Sequence, residues 1–219
     1  MSDQDQALIP ADIAGSLQKY DDQALAAVST GGFLPRLQLM ISNSGPCKSG
    51  AFPINHYAVI ENQNNVDVGK EVDMLVIVWR PKAMDTSGDE IIVSHDETSQ
   101  LFKDISAKTL EKNSGCMFGP EYLVYIPSVK KFATFFLGSK SSRREATAMN
   151  GRLGKGATLK SRHCESKGFD WYSPVCVACN QPFELPDMAE VAAQADKFNN
   201  PPVASVEVAP EEDGTEQAR

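Results

Sequence analysis

Apolar and polar positions alternate along most of this chain, and the period of the alternation changes only a few times. Ala7, Leu8, Ile9, Ile13, Leu17 and Leu25 recur at helical spacing, with Pro10 at a first-turn position, which predicts one or two short helices over 7–28. Thr30-Gly31-Gly32 breaks that pattern. Residues 34–41 (LPRLQLMI) alternate as a strand, Asn43-Ser44-Gly45-Pro46 reads as a turn, and 56–60 reads as a second strand. The apolar run 72–79 predicts the strongest strand, buried on both faces. Asp85-Thr86-Ser87-Gly88-Asp89 reads as a hairpin loop, with Ile91-Ile92-Val93 returning. Leu101, Ile105 and Leu110 predict a helix over 96–112. Strands follow at 122–126 and 132–137, then a short basic helix over 141–153, then strands 157–164 and 171–179 around a turn near Gly168. The amphipathic stretch 186–198 predicts a helix, stopped by Asn199-Asn200-Pro201-Pro202. Residues 203–219 show no periodicity and are expected to be disordered.

This order of elements is mainly β with helical insertions, in the α+β class. Strands do not alternate regularly with long helices, which argues against a doubly wound sheet. Many short strands within about 150 residues fit a small barrel or sandwich, and an OB-like barrel is the expected form. The expected organisation is an N-terminal helical segment (1–30), a barrel body (31–185), a C-terminal helix (186–198) and an acidic tail (199–219).

The formal charge of −8 excludes a uniformly basic coat. It also hides a segregation. Residues 1–28 carry five acids and one base, and residues 186–219 carry eight acids and two bases. Residues 128–168 carry ten bases against Glu145 and Glu165 alone, a net +8. No apolar run is long enough to span a bilayer, and the polar start lacks the features of a secretory signal. Five cysteines, an odd number without an export signal, suggest reduced thiols in the cytoplasm.

Several motifs fail on their chemistry. Gly151 to Thr158 resembles a phosphate loop, but a Walker loop needs Ser or Thr where Gly156 stands and glycine where Met149 stands. These glycines are expected to form a mobile loop whose amides, with Lys155, could meet a phosphodiester backbone. Cys164, Cys176 and Cys179 are weak candidates for zinc. A hairpin centred near Asp170 would bring Cys164 opposite Cys176, but His163 and Cys164 point to opposite faces and no second Cys-x-x-Cys pair exists. Asp85, Asp89, Glu90 and Asp96 cluster in sequence, as a metal-dependent nuclease would require, yet Asp is also simple turn chemistry at a hairpin loop. Neither a nucleophile elbow nor a His-Glu-x-x-His motif is present.

The informative feature is an interleaving of bases with rings. Lys130, Lys131, Lys140, Arg143, Arg144, Lys155, Lys160 and Arg162 are placed to hold phosphates, and Phe169, Trp171 and Tyr172 to stack on bases. Period two puts Phe135 and Phe136 on opposite faces of a strand, so at least one is core, and it keeps Tyr122 and Tyr125 from lining one groove. The acidic tail (Glu207, Glu211, Glu212, Asp213, Glu216) suits a groove competitor or a lure for basic partners. The expected function is sequence-nonspecific single-stranded-DNA binding without catalysis. The rivals are a virion structural or assembly protein, the nuclease and a zinc module.

SVKKFATFFLGSKSSRREA, TLKSRHCESKGFDWYSPV and the closing FNNPP, with a detachable acidic end, resemble the phage-encoded single-stranded-DNA-binding proteins of the phage T7 type, over roughly residues 33–219. The resemblance implies a role in DNA replication or recombination in the host cytoplasm and no cofactor. It also implies partner proteins recruited through the tail, and it leaves a homodimer open. Tails of that type end in an aromatic residue, whereas this chain ends Glu216-Gln217-Ala218-Arg219.

Overall fold

The computed structural model describes residues 34–42, 44–61, 65–111, 113–166 and 168–201. The helices expected over 7–28 and the tail 203–219 lie outside the described residues. Nine strands form one sheet: β1 (Arg36–Leu39), β2 (Tyr57–Ile60), β3 (Val66–Gly69), β4 (Val72–Asp85), β5 (Ile92–Ser94), β6 (Cys116–Ile126), β7 (Lys131–Phe136), β8 (Gly156–Ser166) and β9 (Phe169–Ala178). Among the described residues four α-helices accompany them: α1 (Gly45–Lys48), α2 (Gln100–Lys108), α3 (Ala146–Asn150) and α4 (Met188–Asn199). The sheet order is β3-β2-β1-β7-β6-β4-β8-β9, with β5 alongside the far half of β4. Only the β1–β7 pair is parallel among the named strands. The expected mainly β architecture is what forms.

The sheet curls. Tyr57 on β2 donates its hydroxyl to the carbonyl of Lys160 on β8, although β1, β7, β6 and β4 lie between those strands in the sheet order. The concave side of this half-barrel holds the larger core, built from Leu37, Tyr57, Val59, Met74, Val76, Tyr122, Val124, Phe135, Ala157, Leu159 and Cys176, and closed by Met149 of α3. The convex side holds Leu75, Ile77, Val78, Leu123, Tyr125 and Phe132, covered by Val191, Ala195 and Phe198 of α4 at helical spacing. β4 is thus buried on both faces, as its apolar run predicted. Tyr122 and Tyr125 are core residues of opposite sides, and neither lines a groove.

Two local features shape β4. Its register against β6 slips between Val76 and Val78, a bulge that puts Ile77 and Val78 on the same side. Beyond it, Arg80 and Lys82 face α4 with Glu121, instead of the concave core. The strand then continues through Pro81, which stands opposite Pro120. The Pro81 carbonyl meets His95 and the Pro120 carbonyl accepts from Leu137, so the backbone polar groups of both residues point away from each other. Pro81 also lies between the part of β4 paired with β8 and the part paired with β5, where a missing N–H leaves no partner unsatisfied.

Helix ends follow side-chain chemistry. Ser99 caps α2 by accepting from the Phe102 amide, and Asp187 caps α4 by accepting from the Ala189 amide. The basic segment expected as one helix over 141–153 divides into a 3-10 turn, Ser142–Glu145, and the short α3. No helix among the described residues is long and apolar enough to cross a membrane.

Candidate nucleic-acid interface

β8 and β9 form a ribbon that outruns the sheet. Among the described residues β8 pairs with β4 only from Gly156 to Leu159, and past that point its one ladder partner is β9, as far as the Ser166–Phe169 pair. The turn needs a left-handed residue, and Gly168 supplies it at φ +80°. Lys160, Arg162, His163, Glu165, Ser166, Gly168 and Asp170 are exposed. The ribbon is fastened at its foot by the Tyr57–Lys160 bond and by a bond from the Ser161 hydroxyl to the Asn55 side chain.

Direct cross-strand partners share a face. Lys160 opposes Val175, Arg162 opposes Ser173 and Cys164 opposes Trp171, so Lys160, Arg162 and Trp171 stand on one face of the ribbon. His163 opposes Tyr172 and Glu165 opposes Asp170 on the other. There the His163 and Tyr172 rings lie 5.3 Å apart, and the Asp170 carboxylate is 3.3 Å from His163. One face is cationic with an indole, and the other carries both acids. Trp171 and Tyr172, consecutive in the strand, therefore cannot stack on the same strand of bases from the same side. Phe169 is placed by its backbone pairing with Ser166.

The other candidate bases stand in two further groups. Lys130 and Lys131 lie at the β6–β7 turn, with β6 and β4 between them and the ribbon in the sheet order. Lys130 is 3.0 Å from Glu184, and that hydrogen bond raises its pKa; Lys131 pairs with Glu61. Lys140, Arg143 and Arg144 belong to the segment joining β7 to α3. Arg143 is structural: its Nη1 donates to the carbonyls of Phe118 and Gly138 at 2.8 and 2.7 Å, and its guanidinium lies 4.1 Å from the Phe118 ring. Lys160 pairs with Glu71 at 3.0 Å, and Arg162 stands 3.9 Å from Glu145. Lys140, Arg144 and Lys155 carry no ion pair among the described residues. The described bases of the block therefore do not gather in one place, and the ribbon sets Lys160 and Arg162 on one face with the partly exposed Trp171.

The glycine loop before β8 differs from expectation. Gly154 donates its amide to the Val76 carbonyl at 2.7 Å, Leu153 bridges to Val76, and the Gly151 and Lys155 amides bond within the turn. The amides expected to face a phosphodiester are thus already used inside the protein, because the turn must return the chain from α3 to a buried strand.

The cysteine arrangement also differs. The turn at Gly168 sets Cys164 opposite Trp171 and Cys176 opposite Leu159, on opposite faces, so the two thiols do not oppose each other. Cys176 lies in the concave core, and burial raises its pKa to about 11. The Asp85–Asp96 cluster resolves into turn chemistry: Asp85 accepts from the Ser87 amide and hydroxyl, and Asp96 does the same with Thr98. These bonds lower the pKa of both carboxyls. Among the described residues no three His, Cys, Asp or Glu gather as metal ligands would.

One charged cluster had no sequence signal. Glu121, 2% exposed at its side chain, accepts from Arg80 Nε and Nη2 at 2.9 and 2.8 Å and from Lys82 Nζ at 2.6 Å. Burial pushes the Glu121 pKa up, but the Lys82 and Arg80 charges outweigh it and hold the carboxyl far below its ordinary range. Arg80 Nη1 also donates to the Phe198 carbonyl, and its guanidinium sits 4.1 Å from the Phe198 ring, tying the end of α4 to the sheet. No family model matches the chain, and no curated protein or solved structure matches it.

Proposed function

We propose that this protein binds single-stranded DNA without strict sequence preference and without catalysis, using the cationic face of the β8–β9 ribbon. The observation that carries the reading is the placement of Lys160, Arg162 and Trp171 on one face of the ribbon, with its two acids on the other. Lys160 and Arg162 hold phosphates and Trp171 stacks on a base, the two parts that sequence-tolerant binding requires. Lys140, Arg144 and Lys155 are further cations open to phosphates, since no acid competes for them among the described residues. In this reading the half-barrel is of the OB-like kind, and the work of the protein lies in replication or recombination. The acidic residues of 203–219 compete with DNA and recruit partner proteins.

The test is anisotropy of a labelled oligo-dT at about 50 mM salt, where phosphate contacts are strong. Binding is expected to weaken on adding salt, with log K falling about 0.7 per phosphate contact for each tenfold rise. Removing 203–219 is expected to tighten it. Absence of oligo-dT binding, or weaker binding after tail removal, overturns the reading.

A further inference from the structure

The edge of β9, which no strand among the described residues covers, already holds an anion of the protein's own beside the foot of the ribbon. The Cys176 amide points away from β8 and donates to Glu145 Oε2 at 3.2 Å. Glu145 Oε1 stands 3.9 Å from Arg162 Nη2, and Arg152 and Glu145 both act electrostatically on the Cys176 thiol. Ser173, directly opposite Arg162 in the ladder, is 1% exposed, and its hydroxyl has no hydrogen-bond partner among the described residues. Buried polar groups are nearly always satisfied, so an orphan hydroxyl beside a guanidinium points to a missing acceptor. Guanidinium, edge amide and hydroxyl are the donors that proteins turn toward backbone phosphates.

We propose that Arg162, Ser173 and the Cys176 amide form a phosphodiester subsite, and that Glu145 is its internal stand-in. This rests on the single-strand reading above and names one anchoring point for the strand. An incoming phosphodiester oxygen replaces the Glu145 carboxylate at Arg162 and supplies the acceptor that Ser173 lacks. Glu145 can yield because its contact with Arg162 is long and the arginine is half exposed, conditions under which an ion pair holds weakly. The carboxylate thus keeps the donors in place without strand and selects against weak anions.

Glu145→Gln tests this, because the amide keeps an oxygen for the Cys176 N–H and removes only the charge. In oligo-dT anisotropy it is expected to bind about fivefold tighter than the natural chain, the factor that a weak surface ion pair represents. Glu165→Gln makes the same charge change on the opposite face of the ribbon and is expected to gain less than about twofold, as a distant screened charge should. Arg162→Ala is expected to weaken binding and to abolish the gain when combined with Glu145→Gln. Ser173→Ala probes the subsite without touching Glu145 and is expected to weaken binding about threefold. If Glu145→Gln gains no more than Glu165→Gln, or keeps its gain without Arg162, the subsite is overturned while the single-strand reading stands. If the natural chain and every variant fail to bind oligo-dT, the reading itself falls and the subsite with it.

Discussion

Cations meet carboxylates in two regions of this protein, under opposite conditions. Beneath the end of α4, Glu121 is nearly inaccessible and receives three short charged hydrogen bonds from Arg80 and Lys82. Around the ribbon, Lys160 with Glu71 at 3.0 Å and Arg162 with Glu145 at 3.9 Å are pairs whose cations stand half in solvent. The buried carboxylate cannot be exchanged for a ligand, since removing Glu121 leaves two cations without a counter-charge in a low-dielectric site. The ribbon pairs gain little from each other and can release a cation to a phosphate at small cost. Burial, and not the number of charges, separates the part that holds the C-terminal helix in place from the part suited to bind a polyanion.

The contrast can be broken first at its buried end. Glu121→Ala is expected to cost about 3–5 kcal/mol in urea unfolding, because Arg80 and Lys82 stay buried without a counter-charge. A loss below about 1 kcal/mol, the size of a surface pair, would remove the distinction. Acid sharpens the same point through His95, which lies beside this cluster. Burial, helped by the Arg80 charge, lowers its pKa to about 4 from 6.5. The unfolded chain therefore binds more protons between those values, and stability rises with pH across that window, is complete above about 6.5, and is lost as pH falls toward 4. The slope is expected to amount to about 3 kcal/mol across the window, and His95→Asn is expected to flatten it in pH-resolved thermal melts.

At the solvated end the effects are smaller and appear in binding. Trp171→Ala is expected to weaken oligo-dT binding by about 1–3 kcal/mol, with unchanged melting, while Tyr172→Ala on the acidic face has the lesser effect. Equal losses would mean that the two faces are not distinguished. Lys160→Ala is expected to lower the salt slope of log K by about 0.7 without altering stability. A drop in melting temperature instead would place Lys160 among the structural charges.

Much of the fold was legible in local pattern. The doubly buried run of β4, the turn at Gly168, the capped helix after Asp96 and the period of α4 each depend on residues a few positions apart, where side-chain alternation and helical spacing apply directly. Pro81 and Pro120 hid the true lengths of β4 and β6, because a proline normally ends a ladder, and only their placement opposite each other shows why neither does. The short β3 carries too few apolar positions to announce itself. Of the interface, the expectation that Trp171 and Tyr172 both stack overlooked that period two sets adjacent rings on opposite faces, and which rings stay partly exposed was not legible.

The amino-acid order alone determined where most strands and the longer helices form, and that the bases concentrate in one segment between acidic ends. Those properties are local, set by backbone sterics and by neighbours in the chain. Tertiary structure decided what the charges do. The bulge in β4 turned Arg80 and Lys82 toward Glu121, and the short reach of β4 along β8 left Lys160 and Arg162 exposed and Trp171 partly so. A charge is committed or available according to its burial and its partners, and for these side chains both come from strands far away in the sequence.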